Sequence, residues 1–302
     1  MPEKQETHRN TRESSADCMI GVVGFGLIGA SIVALAIEEL KGVTIKCYEA
    51  NDNHIELLEE GYENVVFVES VHELTDCNYI FIATPPDSVC GIACDLLSDK
   101  KCNSIVVDVA STKKGIDDCI RSNAVRYQKY LGGHPLAGGN TEGPEFSSAD
   151  VLRNATFIIT PHESFCAEDL QAVRKLLSDM SFDVICMSTS EHDEILALTS
   201  HLPHLISYAY SNVLISASRN KDIASVASKS TRGISYFASS NVEMWVDIFS
   251  KNDFLYKWLD ELIVQLIRIR RDSRTGDLSD LAESLTTASE LQRTVLKSND
   301  KS

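Results

Sequence analysis

The chain has 302 residues, enough for about two domains, and 43% of them are hydrophobic, enough for a sizeable core. Against 28 basic residues stand 44 acidic ones, a formal charge of −16, which argues against nucleic acid or an anionic membrane as partner and leaves room for a local basic pocket that takes an anionic substrate. No apolar run reaches the length of a membrane span.

The nine cysteines include no C-x-x-C pair, so neither a zinc site nor a thiol–disulfide motif is expected. Cys90 and Cys94, one helical turn apart, read as free thiols. Residues 1–17 are polar, mixed in charge and without the apolar centre of a secretory signal; they read as a disordered tail. A reduced, cytoplasmic setting is expected, with an organelle address left open.

Met19 to Val23 is a continuous apolar run, as a strand buried on both faces requires. It ends in Gly24-Phe25-Gly26-Leu27-Ile28-Gly29, a G-x-G-x-x-G, and the Ala- and Leu-rich run from Ala30 to Leu40 reads as a helix. Gly24 suits a tight turn, Gly26 a close approach by a pyrophosphate and Gly29 tight helix–strand packing. The helix N-terminus, at Leu27 and Ile28, offers N–H donors to the phosphates. A second strand, Thr44 to Tyr48, ends at Glu49, about twenty residues past the last glycine. A carboxylate there accepts hydrogen bonds from an adenosine ribose and repels a 2′-phosphate, so NAD is favoured over NADP. The competing reading is a plain strand–helix glycine turn.

Downstream, Asn53 to Glu60 reads as a short helix, Val65 to Val68 as a strand, and Asn78 to Ala83 as a buried strand ending in Thr84-Pro85-Pro86, at an edge where open α/β sheets bind ligands. A helix over about Asp87 to Leu97 leads to an apolar strand, Ser104 to Val107. The segment Asp108-Val109-Ala110-Ser111-Thr112-Lys113 follows it, and then helix signals over Lys114 to Arg121. Tyr130 to Gly133 leads into a glycine-dense loop carrying His134. Strands at Thr156 to Thr160 and Asp183 to Met187 flank an amphipathic helix, Ser164 to Asp179. This alternation indicates a Rossmann-type α/β, doubly wound, mostly parallel sheet over residues 18–187.

Past Ser188 only helical periodicity remains, giving an all-α second domain over 188–302. Glu191 to Ser216 is apolar on almost every face, which implies burial. Long helices follow over about Asp253 to Arg271 and around Leu281, Leu285 and Val295. The first helix leaves so little polar surface that a homodimer through this half is expected; the alternative is a monomer wrapped around its own central helix. Pro203 should kink that helix between His201 and His204. No third ligand has suitable spacing, so the two histidines are not expected to bind metal; pocket lining or structural hydrogen bonding are the competing readings.

His134, between glycines and a strand end, can take a hydroxyl proton while a hydride leaves the same carbon; the competing reading is a turn histidine bonded to backbone. Ser111 either bonds a substrate hydroxyl or the cofactor amide, or caps a helix. No lysine lies between Lys175 and Lys221, which argues against a hydride transfer that depends on a lysine from the first helix of the second domain.

Together GFGLIG at 24–29, Glu49, ATPP at 83–86, DVAST-K at 108–113, GGHPLAG at 132–138, HDEILALTSHLPH at 192–204 and MWVDIF at 244–249 resemble the prephenate dehydrogenase (TyrA) family over nearly the whole chain after Met19. The resemblance implies NAD-dependent oxidative decarboxylation of prephenate, a dicarboxylate, to 4-hydroxyphenylpyruvate in tyrosine biosynthesis. In that reading His134 is the proton acceptor, Ser111 holds the hydroxyl and His134, and His204, Ser200 and Trp245 line the substrate pocket. Gly24, Gly26, Leu27, Ile28, Gly29, Glu49, Thr84 and Pro85 face the cofactor.

Two departures stand out. Tyr236 occupies the position of the family's carboxylate-gripping arginine, with Arg232 as the candidate substitute, although only arginine offers a bidentate charged fork. Asn140 replaces a glutamate, which favours a keto acid over arogenate. Arogenate, a 4-amino-4-deoxyprephenate-type substrate, or a catalytically weak dinucleotide-binding sensor remain the alternatives.

Overall fold

The computed structural model describes residues 18–51, 65–137, 141, 143–218, 222–274, 278–291 and 293. The tail expected over 1–17, the helix expected over 53–60, and Asn140 and Val295 lie outside the described residues.

Eight strands form one sheet: β1 Met19–Val23, β2 Thr44–Tyr48, β3 Val65–Phe67, β4 Tyr79–Ile82, β5 Ile105–Asp108, β6 Tyr130–Pro135, β7 Thr156–Thr160 and β8 Asp183–Cys186. Their spatial order is β3-β2-β1-β4-β5-β6-β7-β8. Every pairing is parallel except β6 with β7. The chain adds β2 and β3 on one side of β1 and then crosses to β4 on the other. The reversal falls between β1 and β4, and the carboxyl ends flanking such a switch point are where open α/β sheets bind ligands.

Helices cover both faces, so the central strands are apolar throughout: Ile20, Val22, Ile80, Phe81, Ile82, Val106 and Val107 are fully buried. On one face α1 (Leu27–Glu39), α4 (Ala149–Leu152) and α5 (Ala167–Asp179) pack Ile32, Leu35, Leu152, Val173 and Leu177 against the sheet. On the other, α2 (Pro86–Ser98) and α3 (Lys114–Asn123) supply Val89, Leu96, Ile116 and Ile120.

Because α2 and α3 lie side by side, Cys90 and Cys119 come within 6.2 Å between Cα atoms and are disulfide-bonded. This corrects the expectation of a free thiol at Cys90; Cys94 is free as expected. The partner sits beyond an intervening strand, where spacing along the chain does not reveal it.

After β8 the chain is helical. α6 (Thr189–Leu196) runs into a π-helical turn, Ala197–His201, and then α7 (Leu202–Ser218). The helical run is unbroken through this turn, with αR backbone at Leu196 and Leu202, so Pro203 lies inside it as expected; its missing N–H takes a bond from the ladder, and the π turn directly before it is where such a run departs from regular α geometry. Helix α7 is also less buried in the single chain than its composition implies. Only Leu202 and Ser207 are buried, while Val213 and Ile215 are 64% and 60% exposed. Helices α8 (Lys229–Ser235), α9 (Val242–Lys251), α10 (Phe254–Asp272) and α11 (Ser279–Leu291) complete this part. Among the described residues no helix is long and apolar enough to cross a membrane.

A Cβ on Gly29 would collide with the Gly24 carbonyl oxygen, which is backbone and cannot swing away. Gly29→Ala is expected to lower unfolding free energy by about 1–3 kcal/mol, the cost of overpacking, in a urea titration. Stability equal to that of the parent protein would contradict the close helix–strand contact.

Candidate active site

The site begins at the glycine turn. Gly24 has φ = +88°, and a Cβ there would stand 2.8 Å from the Ala83 carbonyl oxygen and from the Thr84 methyl, so the turn packs directly on Ala83 and Thr84 at the end of β4. Gly26, by contrast, has open space where its Cβ would be. It is the N-cap residue of α1, which carries no side-chain cap and no acidic residue in its first turn. The Leu27 and Ile28 N–H groups are thus free of a competing anion within their own helix end. Glu49 Oε2 accepts the Phe25 N–H at 2.6 Å and Oε1 accepts the Asn51 N–H at 2.9 Å, which pins the carboxylate beside the turn. Thr84 is half-buried, its hydroxyl oxygen accepting from the Ser88 hydroxyl at 2.8 Å, and Pro85 is exposed as the N-cap of α2. An open cradle at Gly26, an uncapped helix end and an acidic side chain beyond β2 fit a dinucleotide, with NAD rather than its 2′-phosphate.

Two strands along, on the same edge of the sheet, lies a buried polar cluster. His134 is within β6, paired with Ile158 of β7, and not in the following loop as the glycines suggested. The strand continues because Gly133 lets β6 close tightly on its neighbours: a Cβ there would stand 2.7 Å from the Asp108 carbonyl oxygen and from the Phe157 ring.

Beneath it Lys113, fully buried, reaches the Asp108 carboxylate and donates to the Gly133 carbonyl at 2.7 Å. Tyr130 Oη donates to the other Asp108 oxygen at 2.7 Å, and the Ala110 N–H adds a bond at 2.9 Å. Burial pulls the Lys113 pKa down while the Asp108 carboxylate opposes that shift.

His134 Nδ1 lies 2.8 Å from His192 Nε2, and His192 Nδ1 lies 2.8 Å from Asp193 Oδ1. Both Asp193 oxygens also accept backbone N–H groups, from Lys113 and Lys114, each at 2.9 Å. Asp193 on α6 therefore caps α3, which has no side-chain cap of its own. The hydrogen positions follow from these partners. Asp193 is an acceptor, so His192 Nδ1 carries the proton and His192 Nε2 accepts. His134 then donates from Nδ1 and keeps its Nε2 lone pair. Burial is the largest cause holding the His134 pKa well below its ordinary 6.5, helped by His192 and Lys113. Burial likewise lowers His192, with Asp193 opposing. The cluster thus presents a neutral imidazole whose Nε2 is basic.

On the helical side, Asn252 Nδ2 donates to the Asp193 carbonyl at 2.7 Å and to His201 Nδ1 at 3.1 Å. Burial pushes His201 down to about 4. His204 donates from Nδ1 to the Ser200 carbonyl at 2.9 Å, stacks on Trp245 at 3.6 Å and meets Phe237 at 4.5 Å. Trp245 is buried, and its Nε1–H has no hydrogen-bond partner among the described residues. Ser200 sits in the π-helical turn that orients these histidines.

Ser111 is half-buried beside the Lys113 segment and caps no helix, since the N-cap of α3 is Lys113. Arg232 and Tyr236 lie on the exposed α8 end and the turn after it. Tyr236 is 58% exposed, and Arg232 makes no ion pair among the described residues. The cluster thus brings His134 together with Lys113, Asp108, His192, Asp193, His201 and Asn252; His201, expected either to line a pocket or to hydrogen-bond, does the latter with Asn252, whereas His192, Asp193 and Asn252 had not been singled out. The one local sign was HDE at 192–194, within α6, which is also how a solvated helix reads.

Removing the Lys113 charge would leave Asp108 buried and under-compensated. Lys113→Met is expected to cost about 3–5 kcal/mol of stability in chemical denaturation, the range for breaking a buried ion pair. A loss under about 1 kcal/mol would contradict the pairing.

Comparison with known proteins bears on most of the chain. Residues 33–186 match the family model for the prephenate dehydrogenase nucleotide-binding domain and residues 188–287 that for its dimerization domain. The first match begins inside α1, so the glycine turn is assigned here by its geometry. The chain is 26% identical over 276 residues to prephenate dehydrogenase of Bacillus subtilis, covering 88% of this chain and 73% of that protein. It is 26% identical over 268 residues to cyclohexadienyl dehydrogenase of Zymomonas mobilis, covering 85% and 90%. The fold is similar to that of prephenate dehydrogenase from Aquifex aeolicus in complex with hydroxyphenyl propionate and NAD+, with a TM-score of 0.83, 22% identity and coverage of 93% and 99%. It also resembles Synechocystis arogenate dehydrogenase, with a TM-score of 0.76, 24% identity and coverage of 91% and 99%. With both domain models matched over most of its length, the chain belongs to the prephenate dehydrogenase family and is a dehydrogenase.

Proposed function

We propose that this enzyme oxidises prephenate with NAD+ and releases carbon dioxide and 4-hydroxyphenylpyruvate, serving tyrosine biosynthesis. The observation that carries the reading is the neutral His134, whose Nε2 lone pair is left free by the contact of Nδ1 with His192, at the carboxyl edge of the sheet that also bears the glycine turn. The names of its relatives support the substrate.

His134 Nε2 takes the proton of the ring hydroxyl, and the O–H electron pair becomes the carbonyl bond. The hydrogen on the same carbon leaves with its electron pair. NAD+, when bound, accepts that hydride. The bond from ring to carboxylate then breaks, its electrons complete the aromatic ring, and the oxygen recovers its proton from His134. No net proton is released, so the chain needs one base that holds a proton briefly, and correct positioning. Glu49 and the glycine turn would hold the adenosine ribose and pyrophosphate, with Thr84 and Pro85 beside them. Ser111 would orient the hydroxyl. His204, Ser200, Trp245, Tyr236 and Arg232 would line the ring and its carboxylates.

The protein is inferred to act as a homodimer through its helical half. The match to a dimerization domain and the apolar side chains left open on α7 and α10, among them Val213, Ile215, Ile263 and Leu266, support this.

NADH formation should be followed with prephenate and arogenate offered in parallel. The proposal predicts reduction with prephenate. Activity with arogenate alone would move the substrate to the amino acid, and silence with both, NAD+ still binding, would overturn the reading. His134→Asn is expected to lower kcat by about 10²–10⁴-fold with NAD+ affinity preserved; unchanged turnover would remove His134 from its role. Because a base works only unprotonated and burial depresses its pKa, the acid limb of kcat/KM should lie below pH 6.5. An acid limb above that value would contradict the half-buried neutral imidazole.

A further inference from the structure

We propose that His192 and Asp193 form a positioning pair that fixes which nitrogen of His134 is the base and shares its positive charge during turnover. This deepens the proposed function and rests on it for the identity of the substrate, but not for the tautomer.

An isolated neutral imidazole can carry its proton on either nitrogen. Here the choice passes along three groups in contact. The backbone N–H groups of Lys113 and Lys114 occupy both oxygens of Asp193 as donors, at 2.9 Å each. That leaves Asp193 able only to accept from His192 Nδ1, at 2.8 Å. His192 Nε2 must then accept from His134 Nδ1, at 2.8 Å. The only basic nitrogen left on His134 is Nε2. His192 is fully buried and Asp193 almost so, which excludes water as a competing partner at these bonds.

The same line carries charge. When His134 Nε2 takes the hydroxyl proton, the Nδ1–H bond is poised to lengthen toward His192 Nε2. If that proton crosses, one N–H bond breaks at His134 Nδ1, one forms at His192 Nε2, and the imidazolium rests against Asp193. The reverse transfer restores His134 as the product oxygen regains its proton. Lys113, paired with Asp108, lies close by, and its proximity opposes a cation on His134. Moving the charge toward Asp193 relieves that opposition.

Asp193 and His192 belong to α6, the first helix after the sheet, whereas His134 and α3 belong to the nucleotide-binding part. The base therefore has its defined tautomer only while α6 is docked on the start of α3.

A merely structural role for a satisfied buried histidine would give a different result. His192→Leu should lower kcat by about 10²–10⁴-fold, as wrong-tautomer changes do in histidine-dependent catalysis. NAD+ affinity and the KM for prephenate should shift by less than about threefold, since His192 touches neither. His192→Gln, which can accept from His134 and donate to Asp193, should recover at least about tenfold over the leucine variant. Equal activity of the two variants, or a leucine variant within about threefold of the parent kcat, would overturn the proposal. The second readout needs no substrate: ¹⁵N ring shifts of His134 should place the proton on Nδ1 in the parent protein and mostly on Nε2 in His192→Leu. If prephenate is not turned over but the tautomer switches as stated, the substrate assignment fails and the positioning pair stands. If the parent protein carries the proton on Nε2, the pair falls whatever the substrate.

Discussion

The Asp193 carboxylate is the contact on which the arrangement of the site depends. It replaces a missing side-chain cap at α3, a substitution worth about 0.5–2 kcal/mol for an ordinary cap, and it does so from the other half of the chain. It also sets the direction of every hydrogen bond that leads to His134. Lys113 links this contact to the sheet, because its N–H meets Asp193 while its side chain meets Asp108 and the Gly133 carbonyl. A fully buried ion pair is a costly device for stability alone. Here it lies between the strand that presents His134 and the helix end that orients His192, which fixes the relative height of the two imidazoles.

The sequence disclosed the elements whose signals are local. The apolar run before the glycine turn, the turn itself and the strand–helix alternation to Cys186 are read from neighbouring residues, and the sheet has those strands with ends shifted by one or two positions. Only the antiparallel pairing of β6 with β7 escapes such reading. What failed to show was burial created by distant packing. Lys113 stands in a polar run, Ser-Thr-Lys-Lys, and His192 and Asp193 in Ser-Glu-His-Asp-Glu; both segments look like solvated helix starts. Each is buried because α3 and α6 meet end to side, a contact between residues about 80 apart. His134 was misplaced for a related reason: two glycines before it and a proline after it look like a loop, yet they let β6 run close beside β5. The Cys90–Cys119 bond has the same origin in helix neighbourhood.

The helical half contributes a different surface. His204 stacks on the buried Trp245, and Phe237 packs tilted against the same imidazole. The Trp245 Nε1–H has no hydrogen-bond partner among the described residues. Tyr236 is 58% exposed in the single chain.

A crystal structure with NAD+ and 4-hydroxyphenylpyruvate both bound tests this account most directly. The account requires the phenolic oxygen within about 2.6–3.2 Å of His134 Nε2, with Nδ1 of the same ring still turned toward His192. A phenolic oxygen out of reach of His134, or an imidazole rotated to offer Nδ1 to the ligand, would contradict it.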